Sequence, residues 1–96
     1  MRSAFIVSYD ISDPKRLRKV FKAMHGFGNR VQYSVFRCEL SRADKVRMMS
    51  KLRRLIHHVE DQILVIDLGP APGRGDECID SLGRKYAPIP REPVVV

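Results

Sequence analysis

The sequence predicts an α+β fold of the ferredoxin-like kind: a βαββαβ two-layer sandwich with an extra C-terminal strand, assembled as a homodimer. Three observations predict it. Short apolar runs rich in β-branched and aromatic residues alternate with two segments whose apolar residues recur at helical spacing. Each of those segments is apolar on one side only, so the pair can cover one face of a sheet. At 96 residues the chain has material for one core and no more.

The first strand is read at Ala4 to Asp10 (AFIVSYD), an apolar run that ends in an acid. Ser12, Asp13 and Pro14 then open a helix, with Asp13 as N-cap and Pro14 at the first helical position. Leu17, Val20, Phe21 and Met24 fall on one arc of it, and Lys15, Arg16, Arg18, Lys19 and Lys22 share the opposite arc. Gly26 or Gly28 supplies a left-handed residue to end it.

Arg30 to Leu40 (RVQYSVFRCEL) alternates with apolar residues in both sets, which predicts cover on both faces. The run is long for one strand, so a bend near Tyr33 or Ser34 would make two. Ser41 with Asp44 forms a capping-box-like start for a second helix reaching about Val59, with Met48, Met49, Leu52, Leu55, Ile56 and Val59 on one arc. Asp61 to Leu68 (DQILVIDL) is the next strand, and its continuous apolar centre predicts a place inside the sheet. Gly69 to Gly75 reads as a turn-rich loop, and Glu77 to Arg84 as a short helix, a strand, or one after the other. Residues 1–84 thus make the ferredoxin-like domain. Residues 85–96, with three prolines before Val94 to Val96, make an extended arm with a β-prone tip suited to pairing.

Eighteen Lys and Arg against eleven Asp and Glu give a net charge of +7, which favours a polyanionic partner, nucleic acid first. No apolar run exceeds four residues, which excludes a spanning helix, and Tyr9 and Asp10 interrupt the N-terminal run before a signal-peptide core could form. The expected location is the cytoplasm, with Cys38 and Cys78 as reduced thiols rather than metal ligands.

Asp10 is the first candidate site residue. A carboxylate at the end of a buried strand calls for a metal, a cation or backbone donors; the structural role it could otherwise fill, helix capping, is already met by Asp13 or Ser12. Lys15, Arg16, Arg18 and Lys19 form a strip suited to phosphates, with Arg30 and Arg37 extending the track and Tyr9 beside it. An ordinary solvated face is the competing reading of that strip. Tyr9, Tyr33 and Phe36 are first read as core or dimer contacts rather than base-stacking platforms. His25, His57 and His58 sit near helix ends, where capping or solvation is expected.

The residues YDI at Tyr9 to Ile11, the basic first helix and GNRVQYSVFRC at Gly28 to Cys38 resemble the Cas2 family of small CRISPR-associated proteins over about residues 1–70. The resemblance implies a ferredoxin-like homodimer that takes part in spacer acquisition, bridging integrase subunits and binding double-stranded DNA. For the arm at residues 85–96 it implies pairing with the partner subunit. It also implies a metal-dependent endonuclease acting on RNA or DNA, single-stranded RNA included. In that role Asp10 is both the catalytic and the metal-binding residue, given by each subunit to one shared Mg2+ ion. Two such carboxylates would repel one another unless a divalent cation lay between them, and magnesium suits oxygen ligands. With no evident general base, however, the active site is a thin one. The alternative is a toxin-like ribonuclease or another ferredoxin-like module outside CRISPR.

Overall fold

The computed structural model describes residues 1–71 and 78–84. The elements run β1 (Arg2–Asp10), α1 (Pro14–His25), β2 (Gly28–Gln32), β3 (Val35–Ser41), α2 (Arg42–Leu55) and β4 (Gln62–Ala71). The strands form one sheet in the order β2-β3-β1-β4, every neighbouring pair antiparallel, which is the ferredoxin-like arrangement. The arm and extra strand expected of residues 85–96 fall outside the described residues.

Both helices pack on one sheet face. Phe5, Val7 and Tyr9 of β1 and Phe36, Cys38 and Leu40 of β3 meet Val20, Ala23, Met24, Met48 and Leu52 in a single core. Phe36, Met24, Leu40 and Met48 are fully buried, each contributing roughly 1.5–3 kcal/mol by removal from water. The helix starts are as the sequence predicts: Asp13 accepts from the Arg16 N–H and Ser41 from the Asp44 N–H.

The bend in the Arg30 to Leu40 run lies at Tyr33 and Ser34, between β2 and β3. α2 stops at Leu55 and not near Val59, which is 88% exposed. The cause is local. His57 Nδ1 accepts the N–H groups of Val59 and Glu60, and the Asp61 N–H donates to the His57 carbonyl, so a tight turn replaces the last helical turn. Neither glycine after α1 is left-handed: Gly26 caps it at φ −77. Gly28 serves close packing instead, since a Cβ there would lie 2.4 Å from the Arg37 carbonyl oxygen and 2.6 Å from the Cys38 Sγ.

β4 extends past Leu68 to Ala71 through a bulge, where Ala4 pairs with Gly69 and Phe5 with Asp67. Gly69 takes φ +98 there, and its N–H donates to the Asp67 carboxylate at 2.8 Å. Among the described residues β4 is an edge strand, not the inner one that its apolar centre predicts. Its unbroken apolar run reflects two apolar faces rather than two neighbours: Ile63 and Val65 pack on the core, while Leu64 and Ile66 on the open face are 49% and 48% exposed. Residues 78–84 form turns and bends with neither helix nor strand. Among the described residues no helix is long and apolar enough to cross a membrane.

Candidate nucleic-acid interface and carboxylate site

Asp10 ends β1 opposite Gln62 and is exposed. Strand alternation sends Tyr9 into the helix-covered core and sets Asp10 on the open face with Ile6 and Ser8. Its carboxylate makes no hydrogen bond or ion pair with the described residues, so it is available to a ligand.

The chain leaving Asp10 is held by a residue that the sequence reading passed over. Asp61, whose side chain is fully buried, accepts from the Ser12 N–H at 3.1 Å, the Ser12 hydroxyl at 3.2 Å, the His57 N–H at 2.8 Å and Arg16 Nε at 2.8 Å. The Arg16 guanidinium and these backbone donors hold the Asp61 carboxyl far below the usual carboxylate range despite its burial. In sequence Asp61 is merely an acid opening an apolar strand; only the fold brings α1 and the α2–β4 turn around it.

The cationic strip therefore divides. Lys15, Arg18 and Lys19 are exposed on the outer face of α1. Arg16 is committed to Asp61 and, at 3.1 Å, to Glu60. Arg30 projects to the helix side, its guanidinium carbon 5.6 Å from the Phe21 ring centroid. Arg37 lies on the opposite, open face, 3.1 Å from Glu39.

Between the end of β1, α1 and the β2–β3 turn lies a cleft of about 330 Å³. Leu17, Phe21 and Tyr9 form its floor, and Arg18, Arg30 and Tyr33 stand at its rim. Burial raises the Tyr9 phenol above its ordinary value of 10.0, with Arg30 partly opposing, so Tyr9 is neutral at physiological pH. Phe36 packs in the core against Tyr9 and Phe21. Tyr33 is 76% exposed, leaving its ring accessible from solvent. His25 packs edge-on against Phe21 and Phe36, and His57 organises the turn before β4.

Among the described residues no three His, Cys, Asp or Glu side chains gather as a metal site. Asp10 could supply one hard oxygen ligand per chain. That suits magnesium, which keeps several waters and takes one or two carboxylates, provided a second copy brings its own Asp10.

The protein-family model described as CRISPR associated protein Cas2 matches residues 3–71. The chain is 42% identical over 96 residues to the CRISPR-associated endoribonuclease Cas2 of Geobacter sulfurreducens, covering 100% of both chains. Among solved structures it is similar to a hypothetical protein from Thermus thermophilus, with TM-score 0.78, 26% identity, and 93% of this chain and 100% of that one covered. It is likewise similar to Streptococcus pyogenes Cas2, with TM-score 0.69, 31% identity, and 83% of this chain and 99% of that one covered.

Proposed function

The chain belongs to the CRISPR-associated Cas2 family, and we propose that it works as a cytoplasmic homodimer that binds polynucleotide backbone in spacer acquisition and cleaves phosphodiesters at paired Asp10 carboxylates. The observation that carries this reading is the position of Asp10. Among the described residues it stands unpartnered, at the end of a strand on the sheet face that also exposes Leu64 and Ile66. A second copy laid on that face across a two-fold axis covers the apolar residues and brings a second Asp10 to the first.

The residues then divide the work. Lys15, Arg18 and Lys19 hold phosphates from the outer side of α1, and Arg30 holds one from the cleft rim. Arg16 keeps α1 and the loop after Asp10 in register through Asp61. Tyr9, neutral and buried, supports that wall and offers its hydroxyl as a hydrogen-bond donor to a strand lying in the cleft. Each Asp10 gives one carboxylate to the metal site. Magnesium held there would supply charge neutralisation on the phosphate and a bound water of lowered pKa. The endoribonuclease name of the Geobacter sulfurreducens relative supports cleavage of RNA, and the +7 charge supports sequence-blind binding of RNA and double-stranded DNA alike.

In acquisition the dimer bridges integrase subunits, with residues 85–96 pairing with the partner subunit. The test compares Asp10→Ala with Arg18→Glu in purified protein, reading polynucleotide retention and magnesium-dependent cleavage separately. Asp10→Ala is expected to end cleavage and spare retention, and Arg18→Glu to weaken both. Cleavage that survives in Asp10→Ala removes the nuclease part of the reading; full retention by Arg18→Glu removes the backbone-binding part.

A further inference from the structure

We propose that the cleft on the helix side is a nucleobase subsite, which takes one unpaired base of a strand while the adjoining phosphate lies between Arg18 and Arg30. This rests on the backbone-binding reading above and adds that the bound strand must present an unstacked base. The subsite is separate from Asp10, which faces the other side of the sheet.

The shape and chemistry of the cleft select the ligand. At about 330 Å³ it sits at the low end of ligand pockets, which run from about 300 to 1,000 Å³, and so matches a small planar group rather than a folded segment. Its floor is apolar and aromatic, its rim carries two guanidinium groups, and among the described residues no acid lines it. A ligand that is flat and apolar at one end and anionic at the other satisfies both parts, and a nucleotide is such a ligand. Duplex nucleic acid shows phosphates but no base faces, so it can use only the rim.

Tyr33 is the second observation. Among the described residues the other Tyr and Phe rings sit in or against the core, yet Tyr33 stands in the two-residue break between β2 and β3, at the cleft mouth. An exposed ring beside two cations is the arrangement that stacks bases in single-strand grooves without regard to sequence. The neutral Tyr9 phenol supplies a hydroxyl for the base edge or sugar.

The test uses the full chain and two probes of equal length: a single-stranded oligonucleotide carrying one 2-aminopurine, and the blunt duplex of the same sequence. The unsubstituted protein is expected to quench the 2-aminopurine, and Tyr33→Ala to weaken single-strand binding about tenfold and abolish that quenching. Duplex binding should stay within about twofold, and Tyr33→Trp should restore the single-strand affinity. Because Tyr33 is 76% exposed, neither variant threatens the fold. Equal loss on both probes, or no loss on either, overturns the subsite and leaves backbone binding standing. If the unsubstituted protein binds neither probe at low salt, both readings fall.

Discussion

Arg16 Nε donates to Asp61 Oδ2 at 2.8 Å, tying the first turn of α1 to the turn that precedes β4. The same carboxylate takes the Ser12 and His57 N–H groups, so one buried acid holds both chain segments that flank Asp10 and Gln62 at the end of the sheet. Removing it leaves a guanidinium and two backbone donors without their acceptor.

Asp61→Ala is therefore expected to lower the melting temperature by more than about 5 °C. Asp61→Asn adds a pH signature. The Arg16 guanidinium, helped by the His57 and Ser12 N–H groups, depresses the Asp61 pKa below its ordinary 3.8. A depressed folded-state value gives stability that is present above the ordinary value and is lost as pH falls through the folded one. Urea midpoints of the unsubstituted protein should fall below about pH 4, and the gap to Asp61→Asn should narrow there. Asp44, lowered by its bonds to Arg47 and Ser41, supplies a remaining acid slope in the variant. A constant gap across that range would show that Asp61 titrates normally.

Gly28→Ala is expected to destabilise by about 1–3 kcal/mol. The new methyl meets the Arg37 carbonyl oxygen at 2.4 Å and the Cys38 Sγ at 2.6 Å, and the first of these is backbone that cannot swing aside. Gly26→Ala is the control, since its methyl comes no nearer than 3.3 Å to the Ala23 carbonyl oxygen. Denaturant midpoints that fall equally in the two variants would contradict the packing account.

The order of elements, both helix starts and the two-faced character of α1 could be read from sequence because they rest on local chemistry: Asp13 and Ser41 cap the helices that follow them. Asp10 stood out for the same reason, as an acid closing an apolar run. What could not be read depends on long-range contact. Arg16 looks like Lys15 and Arg18 on a helical wheel, and only the approach of Asp61, forty-five residues away, separates it from them. The unbroken run at Ile63 to Ile66 shows that both faces are apolar, but not whether strands lie on both sides, and among the described residues β4 has a neighbour on one side only.

The division of the basic strip predicts different behaviour for neighbouring cations. Neutralising Lys15, Arg18 or Lys19 should each lower the steepness of log K against log salt by about one unit. Arg16→Gln should instead lower the melting temperature and leave the slope nearly unchanged, because its charge is already spent on Asp61 and Glu60. A slope change for Arg16→Gln equal to that for Arg18→Gln would show that the ion pair opens to admit phosphate.

Asp10→Ala tests the carboxylate site apart from the fold. Asp10 is exposed and unpartnered among the described residues, so its loss should change stability by no more than about 0.5 kcal/mol. Divalent-ion binding, followed by titration with Mn2+ as a spectroscopic stand-in for Mg2+, should disappear. Retained binding would move the metal site elsewhere.

The open sheet face gives the sharpest test of assembly. Ile6 and Ile66 are paired directly across β1 and β4, and Leu64 pairs with Ser8 one step nearer Asp10. Ile66 is 48% exposed in the single chain, so a charged side chain there can reach water and the monomer should fold. In a dimer built on this face the same charge is buried opposite apolar surface and brought towards its own symmetry copy, which costs several kcal/mol with no cation to offset it. Ile66→Glu should therefore yield a folded monomer by light scattering, with helix content retained in circular dichroism. It should also lose divalent-ion affinity without any change at Asp10, because each chain supplies only one of the two carboxylates. Asp10→Ala makes the converse prediction, a dimer without metal. An intact Ile66→Glu dimer would place the interface on another surface and remove the reason for the two Asp10 side chains to meet.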